Sequence, residues 1–91
     1  MLKYNNITVH QLKELFGLNQ DFILLDVREK FEVEISSING SIHIPMMDIP
    51  KRLNELDIKK ELIVFCKFGI RSRKVCDFLY NNKYIKSCRR Y

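Results

Sequence analysis

Two runs of four apolar residues, Phe22-Ile23-Leu24-Leu25 and Leu62-Ile63-Val64-Phe65, constrain this chain more than anything else in it. Each has strand length and lacks the alternation of a strand with one wet face, so each reads as a strand buried on both faces. Each also stops abruptly, the first on Asp26 and the second on Cys66. Strands covered on both sides belong to parallel sheets, and parallel neighbours need long crossover connections, usually helices.

The remaining segments supply those helices. Thr8 caps a helix over Val9 to Phe16, because Gln11 completes a capping box and Gly17 offers a left-handed stop; Ile7 then closes a short first strand. Glu29 to Ile35 forms a short helix, Ser36 to Gly40 a loop, and Ser41-Ile42-His43-Ile44 a strand that Pro45 ends. Asp48 is the expected N-cap of a further helix with Pro50 in its first turn and Ile49, Leu53 and Leu56 at helical spacing. From Arg71 to Asn82, Val75, Cys76, Phe78 and Leu79 mark a helix with one inward face, and Tyr84-Ile85 starts a last strand. The fold class is α/β, an open parallel β-sheet flanked by helices, in a single domain over residues 1–91 without repeat or linker.

A chain of 91 residues buries only roughly 60 to 65 % of its unfolded surface, so there is one core to fill. The net charge of +5 is spread along the sequence and interrupted by Asp and Glu, which argues against nucleic acid as a partner. The densest basic stretch, Arg71 to Lys74 with Lys67 nearby, suits a small anion at one loop. No run approaches the roughly 18 apolar residues of a membrane span, and residues 1–6 lack a signal-peptide core, so no membrane partner and a cytoplasmic location are expected. Three cysteines without a CxxC pair indicate neither a disulfide framework nor a zinc knuckle, and reduced thiols are expected.

In open parallel sheets ligands bind beyond the carboxyl ends of the strands, which places Asp26 and Cys66 on one edge. The loop after Cys66 enters a helix, so its N–H groups offer an anion site to which Arg71 adds charge. Thiols at such sites ionise at pKa values of ~3.5 to 7.5 instead of ~8.5, which makes Cys66 a nucleophile; position alone equally fits a small buried hydrophobe. Four residues separate Cys66 from Arg71, and cysteine phosphatases need a longer loop to wrap a tetrahedral phosphate, so phosphatase and arsenate reductase chemistry is disfavoured.

Three segments in order carry a resemblance. Leu25-Asp26-Val27-Arg28-Glu29 resembles the LDVRE motif of the rhodaneses, Gly40-Ser41-Ile42-His43-Ile44-Pro45 their GAxxIP segment, and Cys66-Lys67-Phe68-Gly69-Ile70-Arg71-Ser72 their CxxGxRS loop. The resemblance to a single-domain rhodanese covers nearly the whole chain. It implies a sulfurtransferase in which the Cys66 thiolate takes the outer sulfur of thiosulfate or a related donor as a persulfide and passes it to a thiol, cyanide or protein acceptor. The N–H groups of residues 67 to 71 would solvate the persulfide, with Lys67 and Arg71 on the donor's oxygens and Phe68, Gly69 and Ile70 completing the binding loop. No cofactor or metal is required. The alternative reading is a catalytically silent rhodanese-like interaction module.

Asp26 and Arg28 read as scaffolding, with Asp26 receiving loop N–H groups and Arg28 pairing with Glu32; Ser72 caps the helix or touches the loop. His10 and His43 lack ligand spacing, Cys76 reads as core packing, and Cys88 as incidental. The chain departs from the family pattern at Lys30 and Ser36-Ser37, and its end at Cys88-Arg89-Arg90-Tyr91 leaves out the family's final helix. A sheet face bared by that loss would pair with a second copy in a homodimer or leave the domain less stable.

Overall fold

The computed structural model describes residues 5–6, 8–18, 22–57, 59–82 and 89–90. Strand β1 is Asn5–Asn6, and helix α1 runs over Val9–Gly17. The capping box is present: the Gln11 N–H donates to Thr8 Oγ1 at 3.1 Å, and the Thr8 N–H donates to Gln11 Oε1 at 2.9 Å. Gly17 is not the left-handed stop expected of it. The last turn closes instead on Leu18 at φ −82°, whose N–H reaches the Glu14 and Phe16 carbonyls, so no residue of positive φ is needed.

Strand β2 spans Phe22–Asp26, α2 Lys30–Ile35, β3 Ile42–His43, β4 Glu61–Phe65, α3 Ile70–Asn81 and β5 Arg89–Arg90. The sheet has the order β1-β5-β4-β2-β3 with every pair parallel. The two apolar runs are adjacent at its centre, in register from Phe22 opposite Glu61 to Asp26 opposite Phe65. Beyond the strand ends the ladder continues: Val27 N–H donates to Phe65 O, Ile44 N–H to Asp26 O and Met46 N–H to Val27 O. These bonds tie together the chain segments that leave the carboxyl edge.

Between β3 and β4 the expected α-helix is absent. The chain forms two 3-10 turns, Met46–Lys51 and Leu53–Glu55, and the first is entered from Pro45, not from Asp48. Pro50 lies inside the first turn, where it lacks the N–H for an i→i−4 bond and its ring would clash with the carbonyl four residues back. The bonds that form are i→i−3, from Asp48 N–H to Pro45 O and from Arg52 N–H to Ile49 O. The expected strand residues Ile7 and Tyr84-Ile85 lie outside the described residues, as does Cys88.

Strand pleating divides the core. Ile23, Leu25 and Val27 of one central strand and Leu62, Val64 and Cys66 of the other share a face with Val75, Cys76 and Leu79 of α3 and with Ile49. Leu24, Ile63 and Phe65 take the opposite face with Leu12 and Leu15 of α1. Each such side chain contributes about 1.5 to 3 kcal/mol when fully buried. Cys76 packs inward as expected, yet it is disulfide-bonded, which corrects the expectation of reduced thiols at that position. Cys66 is the free cysteine among the described residues.

Candidate active site

Cys66 is the first residue past β4 and shares the buried face with Val64, so its sulfur lies on the α3 side of the sheet. The loop that follows needs a sharp return. Gly69 supplies it at φ +82° as the residue that opens α3, a conformation that side chains with a Cβ adopt at a cost. The return turns the first N–H groups of α3, which have no partner within the helix, back toward the strand end. The Gly69 N–H donates to Cys66 Sγ at 3.1 Å and the Ser72 N–H at 3.3 Å.

Ser72 Oγ lies 3.6 Å from the same sulfur and 3.0 Å from the Gly69 carbonyl. Wholly buried, this hydroxyl can donate to the carbonyl while it accepts from a thiol, or rotate to donate to a thiolate. Burial pushes the Cys66 thiol up. The Ser72 N–H, the Ser72 hydroxyl and the N–H groups of Gly69 and Phe68 outweigh that effect and bring the thiol below its ordinary value. A cysteine only 7 % exposed thus has an environment organised for its ionised form.

Asp26 ends β2 and is completely buried. Its Oδ1 accepts from the Arg28 N–H at 3.0 Å, and its Oδ2 accepts from Arg28 Nη2 at 2.8 Å. The same Nη2 donates to Ser36 O, the guanidinium stacks 5.4 Å from the Phe65 ring centroid, and His43 Nε2 meets the Arg28 carbonyl at 2.7 Å. A buried carboxylate is tolerated when it is paired and hydrogen-bonded in this way. The group stitches the loop after β2 to the end of β3, and His43 is engaged in it. His10 lies on α1 beside Glu14 at 3.1 Å. No metal-binding cluster of His, Cys, Asp or Glu occurs among the described residues.

Glu32 does not pair with Arg28 as expected from the sequence. It receives Arg71 in a two-point contact, Nη1 on Oε1 at 2.5 Å and Nη2 on Oε2 at 3.0 Å, across 39 positions of sequence. Asp26 lies closer along the chain and captures Arg28, which leaves Glu32 to the helix-α3 arginine. The Arg71 hydrogen bonds, aided by the Glu29 N–H, hold the Glu32 carboxyl down to about 2. Lys67 is exposed with Nζ 5.3 Å from the Phe68 ring centroid, and Phe68 and Ile70 stand 76 % and 63 % exposed beside the loop. The sequence marked Cys66, Gly69, Arg71 and Ser72 as neighbours; Glu32 it assigned to the wrong partner, because no local periodicity reports a contact so distant in the chain.

This strand-loop-helix arrangement coincides with a family match: residues 8–91 fit the profile of the Rhodanese-like domain. The chain belongs to the rhodanese-like family. Bacillus subtilis YtwF, a candidate sulfurtransferase by name, is 37% identical to this rhodanese-like chain over 78 residues, covering 86% of it and 76% of YtwF. The thiosulfate sulfurtransferase GlpE of Glaesserella parasuis is 30% identical over 76 residues, covering 84% of this chain and 69% of GlpE. The crystal structure of SSP1007 from Staphylococcus saprophyticus superposes with a TM-score of 0.84 at 32% identity, over 93% of this chain and 84% of that one. These relatives support sulfur transfer in general for this rhodanese-like domain, with a sulfur donor and a sulfur acceptor as its partners. No helix among the described residues is long and apolar enough to cross a membrane.

Proposed function

We propose that the chain moves sulfane sulfur from thiosulfate or a related donor to a thiophilic acceptor through a persulfide on Cys66. The observation that carries this reading is the convergence of the Gly69 and Ser72 N–H groups and the Ser72 hydroxyl on one free sulfur. Donors placed in advance around a sulfur anion favour the thiolate that attacks and the persulfide anion that results. In the first half-reaction Cys66–S⁻ bonds to the outer sulfur of thiosulfate, the sulfur–sulfur bond of the donor breaks, and sulfite leaves with its electron pair. In the second, an acceptor thiolate or cyanide attacks the outer persulfide sulfur and regenerates Cys66–S⁻. Lys67, Phe68, Gly69, Ile70 and Arg71 form the donor-binding loop. Asp26 and Arg28 hold the neighbouring strand end, and Ser72 supports the sulfur. The chemistry uses neither metal nor organic cofactor, and it is carried out in the cytoplasm.

Intact-protein mass after treatment with thiosulfate tests the proposal on the native chain and on Cys66→Ser. A reducible gain of one sulfur in the native chain, absent from Cys66→Ser, is the expected result. A folded native chain that gains nothing from any sulfane donor would leave only a binding role.

A further inference from the structure

The cation nearest the helix-α3 entrance is already committed. Both terminal nitrogens of Arg71 lie on the Glu32 carboxylate in the parallel geometry that makes such pairs strong, and the Glu29 N–H fixes Glu32 Oε1 from a third direction at 3.1 Å. Arg28 is neutralised in the same way by Asp26. A dianion that seeks Arg71 must displace a carboxylate and approach its negative charge. What remains around the sulfur is a set of N–H groups, the exposed Lys67, and the exposed apolar side chains of Phe68 and Ile70. Such surroundings suit sulfur delivered on an organic carrier of low charge.

We infer that Glu32 is a specificity-determining residue, withholding Arg71 from dianions and so turning the site toward organic persulfides, R–S–SH, and away from thiosulfate. The inference rests on the role given to Cys66 above. The step balances without any co-reactant: Cys66–S⁻ bonds to the terminal sulfur of R–S–SH, the donor's sulfur–sulfur bond breaks, and R–S⁻ leaves, giving Cys66–S–SH. Phe68 and Ile70 would face the organic part of the carrier. Glu32 acts through Arg71 and touches no reacting atom.

Quenched time courses read by intact mass give the rate constant for loading Cys66 from thiosulfate and from cysteine persulfide. The quantity of interest is the ratio of the two. In Glu32→Gln, whose carboxamide still accepts from Arg71 but carries no charge, that ratio should rise about tenfold, the scale of one charge at a half-buried site. The double variant Glu32→Gln/Arg71→Gln should return the ratio to the native value, since the gain belongs to the released guanidinium. A ratio that stays level or falls in Glu32→Gln overturns the inference, as does a gain that survives in the double variant.

The native protein offers an independent check. Sulfate, an unreactive dianion, should protect Cys66 from alkylation only weakly, and protection at low concentration would overturn the inference without any variant. If neither donor loads Cys66, the persulfide reading itself fails. If both load it but the ratio ignores Glu32, only the specificity role fails.

Discussion

Replacing Ser72 with Ala removes one of the donors around Cys66 and leaves the backbone N–H of residue 72 in place. The Gly69 and Ser72 N–H groups, at 3.1 and 3.3 Å, should continue to hold the sulfur. A hydrogen bond to a charged group is worth about 1.5 to 3 kcal/mol. At 3.6 Å the hydroxyl contact is long, so the lower end applies: ionisation of the thiol should become about tenfold less favourable and its pKa should rise. Well below both midpoints the thiolate fraction falls about tenfold, while the more basic thiolate is about threefold more nucleophilic, so alkylation slows about three- to fourfold. The assay is the rate of iodoacetamide alkylation of Cys66 against pH, in the native chain and in Ser72→Ala. An unchanged midpoint would show that the hydroxyl serves the Gly69 carbonyl alone and that the backbone sets the reactivity of Cys66.

The same shift has a stability counterpart. The folded thiol ionises below its unfolded counterpart, so the unfolded chain binds more protons between the two values and stability rises with pH there. The contribution is complete above the unfolded thiol value and is lost as pH falls through the folded one. In Ser72→Ala the rise should be smaller.

Gly69→Ala places a Cβ in open space, so its cost is the left-handed backbone alone, about 1 to 2 kcal/mol by urea unfolding; a loss near zero would mean the loop re-forms another way. Asp26→Ala strands the guanidinium of Arg28, whose side chain is 13% exposed, and should cost about 3 to 5 kcal/mol on the same assay, whereas under about 1 kcal/mol would mean that water replaces the pair. Ile63→Ala opens the centre of the sheet on the α1 side and should cost about 2 to 5 kcal/mol, with a small loss indicating that Leu24 and Phe65 collapse onto the gap. Glu32, held down to about 2 chiefly by Arg71, stabilises the fold fully above the ordinary carboxylate range and loses that contribution as pH falls through about 2. Its carboxyl carbon resonance should therefore titrate near 2, and a midpoint near 4.5 would dissolve the pair.

What could be read in advance was whatever the chain encodes locally. The two apolar runs declared the central strands, and the Thr8–Gln11 spacing declared α1, because both signals act over a few residues. By its place two residues after Asp48, Pro50 suits the first turn of a helix, but with Met46 to Asp48 already wound ahead of it, it breaks the i→i−4 pattern and leaves 3-10 turns. The site divides along the same line. Cys66, Gly69 and Ser72 are neighbours in sequence as well as in space, whereas Glu32 meets Arg71 only because the sheet brings two distant loops to one edge. Asp26 was legible as a strand-end acceptor, but its claim on Arg28 over Glu32 was decided by the short tether of two residues.

The pleat that sorts β4 into two faces also fixes what insertions and deletions this chain can survive. Leu62, Val64 and Cys66 share one parity, and Ile63 and Phe65 share the other. Losing or gaining one residue within the strand would carry the sulfur to the α1 side, away from the N–H groups of Gly69 and Ser72, while also exchanging the two core faces. Changes of two residues keep the direction of the sulfur but shift its height against α3. Length variation tolerated by relatives of this chain should therefore collect in the turns at residues 36–40 and 59–60, and the distance along β4 to its cysteine should behave as a fixed length.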